Sequence, residues 1–466
     1  MTAKANQPAT LRARGPLLRF FGSLAAALAL TWLVAEPSFT QAQVSVLFLL
    51  WFSVGLWVTE AVPPFAVGFF ILAFLTYALG TSLFTDAPQD IRIYINTFSS
   101  PVIWLMIGGF LLAAAMTKTR LDADIIRITM RVCGTDPRRL LFGLMAVTMV
   151  FSMLISNTAT TAMVMAALVP VLSKLGKGSK TAKALVLGIP IAATTGGMAT
   201  ILGSPPNAIA VGVLADAGSP MGFLGWMAYG VPLSLLLTLL AWRVLVRKFM
   251  QDTAPLSLGD PADGDAITPE FRAKRITVFA IVLATLTLWL TSPLHHLGAA
   301  AVAAIPLVLL PMTRILKGED IRAIGWDTLI LVAGGLSLGT ALQHTGLLGL
   351  YAGRMADLPV PPIAFYVILA YATMAFSNVM SHTATSTVLI PLGMAILPNN
   401  ATEVCMIIGL SASTALFLPV STPPNAIAYS TGLIEQKDLR LGGALLGILG
   451  PAVIILWVLL LSVMKG

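Results

Sequence analysis

Apolar runs of about 18 residues or more follow one another along almost the whole chain, and that is the length a helix needs to cross a bilayer. In hydrocarbon every backbone N–H and C=O must find a partner inside its own segment, so each run is expected to be a helix. The runs fall at about 17–36, 43–60, 63–81, 100–121, 182–214, 222–247, 275–292, 297–313, 326–349, 401–433 and 441–464, which makes eleven spans. The longest polar stretch, Gln251 to Arg275, is too short to fold by itself. Only 10% of the 466 residues are charged, against roughly 25% in soluble domains. The net charge of +8 therefore reads as loops held on the basic side of a membrane rather than as a nucleic-acid surface. Arg12, Arg14 and Arg19 before the run Phe20 to Val34 resemble a signal peptide, but a first anchor helix accounts for them more simply.

Two segments, 139–173 and 361–398, are apolar at both ends and polar in the middle. Their middles are copies of one word. Ser156-Asn157-Thr158-Ala159-Thr160-Thr161 returns as Ser381-His382-Thr383-Ala384-Thr385-Ser386. A second word, Gly203-Ser204-Pro205-Pro206-Asn207-Ala208, returns as Ser421-Thr422-Pro423-Pro424-Asn425-Ala426. A third echo sets Ile107-Gly108-Gly109-Phe110 against Ala333-Gly334-Gly335-Leu336. Ser, Asn and Thr ahead of an apolar run are N-caps, so each first word reads as a hairpin tip followed by a half-helix. Proline cannot continue a helix but suits the first turn of a new one, so each second word reads as a break, with Ser204 or Thr422 as the cap. Half-helix N-termini carry free N–H groups and partial positive charge, which suits an anion. Unwound carbonyls beside them suit Na⁺.

If the two segments are hairpins that enter and leave on one side, all Lys and Arg except Arg92, Arg354 and Lys465 fall on the side of the N-terminus. That asymmetry makes the N-terminus cytoplasmic, and a bacterial chain would sit in the inner membrane. Five spans then separate the hairpins. The expected fold is an all-α polytopic membrane protein: eleven transmembrane helices plus two opposed re-entrant hairpins in an inverted repeat, with residues 1–99 outside the repeat. Inverted repeats with broken helices are typical of secondary transporters.

The paired words, together with Trp57-Val58-Thr59-Glu60-Ala61-Val62-Pro63, resemble the divalent anion/sodium symporter (DASS) family over nearly the whole chain. The resemblance implies a homodimer whose transport domain moves like an elevator past a scaffold. Residues 1–138 and 275–349 would be scaffold spans. Residues 139–248 and 361–466 would each carry a hairpin and a broken helix of the transport domain. It implies one Na⁺ near Ser152, Ser156, Asn157 and Gly203, and a second near Ser377, Met380, His382 and Ser421. Substrate carboxylates would meet Asn157, Thr158, Ser204, His382, Thr383 and Thr422. The chain departs from the family at His382, where Asn is expected. Neutral His offers hard Na⁺ only a nitrogen, which weakens the second site. Protonated His382 could replace that ion.

The first reading is therefore Na⁺-coupled uptake of a C4-dicarboxylate, with Na⁺ as coupling ion and no other cofactor. A Na⁺-independent exchanger, a H⁺-influenced carrier and a sulfate carrier share the same fold. An anion channel would need a ring of basic residues or a polar stripe along its spans, and neither is present in the sequence. Phosphate-loop, zinc-protease and nucleophile-elbow motifs are missing too, so the chain is not expected to be an enzyme. Glu60 reads as a helix-end residue, and His295 and His296 as a turn. His344 reads as interfacial. The run Lys174, Lys177, Lys180, Lys183 reads as a loop anchor near lipid headgroups, and Asp260, Asp263 and Asp265 as solvated acids. Cys133 and Cys405 are expected to stay unpaired thiols.

Overall fold

The computed structural model describes residues 9–82, 85, 87–176, 178–251, 255–256, 268–356 and 360–465, and every regular element among them is helical. Lys177 and the three loop acids Asp260, Asp263 and Asp265 lie outside the described residues. Three apolar helices open the chain: α1 (Ala9–Val34), α2 (Gln41–Thr59) and α3 (Pro64–Gly80). A single turn, α4 (Arg92–Ile95), leads to α5 (Pro101–Lys118) and the short α6 (Leu121–Cys133). Next, α7 (Pro137–Ser152) and α8 (Asn157–Leu175) pack together about a four-residue tip. A broken helix follows as α9 (Lys180–Gly197) and α10 (Pro205–Asp216), and then the long α11 (Phe223–Phe249).

The second half repeats this order. It starts with α12 (Pro269–Leu290), the turn α13 (Ser292–His295), α14 (Ala299–Met312) and the turn α15 (Gly318–Arg322). The Gly-Gly helix α16 (Trp326–His344) and the short α17 (Leu347–Ala356) correspond to α5 and α6. A second helix pair, α18 (Pro362–Val379) and α19 (His382–Ile396), meets at a tip. The second broken helix is α20 (Ala401–Ala412) and α21 (Pro423–Ser430). The chain ends with α22 (Gln436–Ala444), a π-helical turn Leu445–Leu449 and α23 (Gly450–Lys465).

Eight helices among the described residues are long and apolar enough to cross a bilayer by length and composition. Two of the eight, α8 and α18, are arms of the tip-bearing pairs, so length alone does not separate a span from a hairpin arm. The sequence missed α6 and α17, which are short and amphipathic. On α6 Ile125, Ile128 and Val132 face outward while Asp122 is buried, the pattern of a helix lying along a membrane surface. Burial pushes the Asp122 carboxyl above its usual range, against hydrogen bonds from Ala123 N–H and the Thr117 side chain.

The halves interlock by exchanging short helices. α3 packs on α16, and α14 packs on α5. Glycine allows both contacts: a Cβ on Gly334 would lie 2.5 Å from the Gly68 Cα, and one on Gly108 would lie 2.8 Å from the Ala303 Cβ. The first glycine of each echoed Gly-Gly pair thus admits a helix from the other half. The second faces the tips and breaks, since a Cβ on Gly109 would strike Leu202 and one on Gly335 would strike Thr387. Residues 1–99 share no words with the second half, yet α3 stands to α16 as α14 stands to α5. A separate core of α1–α4 residues, including Phe52, Leu56 and Trp57, closes on Leu331 and Leu338 of α16.

The word around Trp57 is explained by a turn. Trp57 Nε1 donates to the Pro64 carbonyl (3.3 Å), and Glu60 ends α2 in the left-handed region (φ 49°) with its side chain exposed. His295 is likewise a turn residue, with Nε2 2.8 Å from the Leu288 carbonyl and Nδ1 accepting from Leu297 N–H. Lys183 is not a loop anchor: its ammonium is largely buried and pairs with Asp438 at 2.8 Å, tying α9 to α22.

At Gly334 the colliding atoms are backbone, which cannot move aside. Gly334→Val is expected to cost about 3 kcal/mol or more and to abolish a monodisperse peak of detergent-solubilised protein on size exclusion. Gly349→Ala, where a Cβ meets nothing within 4 Å, should leave that peak and the unfolding temperature intact.

Candidate functional site at the two tip–break junctions

Each tip lies against the break of its own half, and each tip helix packs on the second half-helix of the other half: α8 on α21, and α19 on α10. Ser156 caps α8 by accepting Ala159 N–H at 3.2 Å, and Ser381 caps α19 by accepting Ala384 N–H at 3.1 Å. The breaks begin their second helices with Pro-Pro, as expected. Thr422 caps α21 through Asn425 N–H (3.2 Å). Ser204 holds the equivalent position, but its hydroxyl makes no cap bond; Asn207 N–H turns instead to the Ser204 carbonyl at 3.0 Å. The expected Ser204 side-chain cap is therefore corrected to a backbone turn.

The unwound carbonyls are claimed by side chains. Asn207 Nδ2 donates to the carbonyls of Gly197 (2.8 Å) and Thr200 (2.7 Å), and Trp226 Nε1 donates to that of Met198 (3.0 Å). In the other half Asn425 Nδ2 donates to Leu416 (3.1 Å) and Leu418 (3.0 Å). The Asn of each Pro-Pro-Asn word is thus a strut under the break. The strut role has a signal in the sequence, an Asn directly after a double proline in both halves.

The first junction gathers oxygen. Asn157 begins α8 and reaches the break, where one end of its amide meets the carbonyls of Ala193 (3.1 Å) and Gly203 (3.2 Å) and Ser152 Oγ (2.5 Å); the facing carbonyls assign that end as the nitrogen. Thr200 Oγ1 donates to the Met153 carbonyl and accepts Gly203 N–H. Close approach requires glycine here: a Cβ on Gly203 would lie 2.8 Å from the Ser152 carbonyl oxygen, and one on Gly197 would lie 2.6 Å from the Asn157 amide. Of the four residues expected for the first Na⁺, Ser152, Asn157 and Gly203 converge, whereas the Ser156 hydroxyl serves the cap. Ala193, which was not singled out, joins them through its carbonyl.

The second junction differs. His382 sets its ring against the backbone of Ala415, and Nε2 is buried without a protein partner. Ser377 Oγ is also buried and unpartnered. Ser421 Oγ lies 2.8 Å from Asn378 Oδ1 and accepts Leu418 N–H at 3.1 Å. Met380 is buried, with its N–H bonded to the Phe376 carbonyl at 2.8 Å. Among the residues expected to meet a carboxylate, Thr158 is exposed and Asn157 and His382 are partly so; Ser204, Thr383 and Thr422 are buried. A cavity of about 730 Å³ opens elsewhere, between α5, α10, α14 and α16, with Ser100, Asp216, Gln343 and His344 on its walls. None of the expected site residues lines it, and it touches the first break at Ile201.

Residues 54–404 match the family described as citrate transporter (CitMHS). The sodium-dependent dicarboxylate transporter SdcS of Staphylococcus saprophyticus is 28% identical, over 92% of this chain and 88% of that protein. The sodium-dependent high-affinity dicarboxylate transporter 3 of Caenorhabditis elegans is 26% identical, over 87% of this chain and 80% of that one. The crystal structure of the Alcanivorax borkumensis YdaH transporter shares the fold, with a TM-score of 0.53 and 16% identity, covering 87% of this chain and 98% of that one.

Removing a strut leaves two buried carbonyls without donors. Asn207→Ala and Asn425→Ala are each expected to destabilise by about 2 kcal/mol or more, read as a lowered unfolding temperature of the purified protein. An unchanged temperature in both would show that the breaks do not need these amides.

Proposed function

Since the chain belongs to the citrate transporter family, and with it to the divalent anion/sodium symporters that its repeated words resemble, we propose that it carries a C4-dicarboxylate across a membrane together with Na⁺. The observation that carries this reading is the first junction, where the start of α8 meets the α9–α10 break and oxygens converge on the Asn157 amide. Ser152, Asn157, Ala193 and Gly203 offer a hydroxyl, an amide and two carbonyls, the hard donors that suit a hard cation. Asn can present either end of its amide, nitrogen to carbonyls or oxygen to a cation. Relatives named sodium-dependent dicarboxylate transporters favour the same cargo.

The anion would lie between the two tips. Thr158 faces outward at the start of α8, and its N–H belongs to the first turn, where the Ser156 hydroxyl takes the N–H of Ala159. Thr383, Ser204 and Thr422 would supply hydroxyls, and the unpartnered Nε2 of His382 a further hydrogen bond. No Lys or Arg belongs to either tip or either break. The anion would therefore be held by dipoles alone, and a cation bound beside it would offset its charge. That is a physical reason for coupling: each ion lowers the electrostatic cost of holding the other.

In this reading eleven helices span the bilayer, the two tip-bearing pairs are re-entrant from opposite sides, and the halves are inverted. The N-terminus is cytoplasmic, the protein works as a homodimer, and the helices around both junctions shift as one body past α1–α5, α12, α14 and α16. Exchange of one dicarboxylate for another without Na⁺ is the second reading, and His382 in place of an amide is the observation that favours it.

Proteoliposomes decide between them. Labelled succinate uptake is expected to rise several-fold with an inward Na⁺ gradient, and Asn157→Ala should abolish that rise. Uptake that ignores Na⁺ but accelerates with succinate trapped inside would replace symport by exchange.

A further inference from the structure

We propose that Asn378 locks the second tip to its break from within, in the place where a coupling cation would otherwise be needed, so that Na⁺ acts at the first junction alone. This deepens the Na⁺-coupled reading and rests on it. The two junctions correspond residue by residue through the repeated words: Ser152 answers to Ser377, Met153 to Asn378, Asn157 to His382, Gly197 to Ala415 and Gly203 to Ser421. Their polarity is opposite.

At the first junction the groups that meet are acceptors. The carbonyls of Ala193 and Gly203 point at one place, and the tip adds the Ser152 hydroxyl. The carbonyl of Ser152 also lies close by, 2.8 Å from where a Gly203 Cβ would be. Acceptors facing one another need a donor or a cation between them. The Asn157 amide fills that need with its nitrogen turned to the carbonyls, and a cation is the alternative.

At the second junction the break presents donors, and the tip brings the acceptor. Asn378 Oδ1 accepts Phe417 N–H at 3.0 Å and faces the Ser421 hydroxyl at 2.8 Å. Its own Nδ2 donates back to the Met374 carbonyl of α18 at 2.9 Å, which fixes the side chain. Both lone pairs of Oδ1 are used, and the Ser421 hydroxyl is committed between Asn378 and Leu418 N–H. Ser421 and His382, two of the four residues expected around a second Na⁺, therefore offer a spent hydroxyl and a ring nitrogen. The unpartnered Ser377 hydroxyl is then the one uncommitted side-chain oxygen of the four, too few hard donors to fit a hard cation. Ala415 stands at the position where Gly197 leaves room for Asn157, and the His382 ring bonds to its backbone. The departure at His382 and the extra amide at Asn378 are thus one change: the amide has moved from the helix after the tip to the helix before it, and has become structural.

Tip accessibility tests this without reading transport. In protein with Cys133→Ala and Cys405→Ala, a single cysteine is placed at Leu154→Cys on the first tip or Val379→Cys on the second, and maleimide labelling is timed in Na⁺ or choline. Na⁺ is expected to slow labelling at Leu154→Cys several-fold and to leave Val379→Cys unchanged. Adding Asn378→Ala should speed Val379→Cys labelling about tenfold in choline, from the two bonds lost, and leave Leu154→Cys as it was. If Asn378→Ala does not fold, Ser421→Ala removes one of those bonds and should speed the same label by a smaller factor. Protection of Val379→Cys by Na⁺ as strong as that of Leu154→Cys, or labelling indifferent to loss of the Asn378 bonds, would overturn the lock. Indifference of both tips to Na⁺ would instead defeat the Na⁺-coupled reading, while the effect of Asn378→Ala would still show whether the lock exists.

Discussion

Unpaired backbone inside a low-dielectric interior costs several kcal/mol per group, and the rest of this structure depends on how that cost is met. Among the described residues, two tips and two breaks interrupt the helical ladder around the candidate site. At the tips Ser156 and Ser381 hydroxyls take the first free N–H groups. At the breaks the carbonyls are taken by Asn207, Asn425, Trp226 and Asn157, side chains that converge from different helices. Each of these bonds needs its donor held in place. The break is therefore stable only when the tip, the strut and α11 are all packed, which makes local unwinding a property of the whole assembly.

Glycine supplies the other half of that packing. The α3–α16 and α5–α14 contacts bring backbones together where a single methyl would collide, and the neighbouring glycines, Gly109 and Gly335, give room to Leu202 and Thr387 near the breaks and tips. One two-residue word in each half therefore sets both the contact between the halves and the contact with the moving parts proposed above. Small residues at helix contacts let dispersion act over close-fitting surfaces where lipid removes any hydrophobic drive.

The tips and breaks were legible because Ser, Asn and double proline are costly in an apolar chain and stand out against it. Their boundaries came within a few residues for the same reason: a cap or a Pro-Pro marks a helix start physically, not statistically. What escaped was set by tertiary contact. The short helices α6 and α17 are too brief to register as apolar runs, and Asp122 on α6 looks solvated in sequence but is buried. Lys183 read as one charge in a basic loop, yet its partner Asp438 lies far along the chain, on α22. Ser204 had every local feature of a cap, and only the turn geometry diverted Asn207 N–H to its carbonyl instead. The partnership of α3 with α16 carries no repeated word at all.

Asn378 carries a difference between the two copies that lies outside the repeated words. As a word, the second tip differs from the first by His for Asn, a loss. As a structure it exchanges acceptors for donors across the same gap, and the gap closes either way. Duplicated halves are free to drift in this manner so long as each keeps its unwound backbone satisfied. In the lock proposed above, an amide that satisfies donors takes the place of a cation that satisfies acceptors, and Ser421 opposite Asn378 is the facing residue that would allow it. Coupling stoichiometry in such a protein then follows from which junctions still leave oxygens facing one another, a property of hydrogen-bond polarity rather than of the number of repeated motifs.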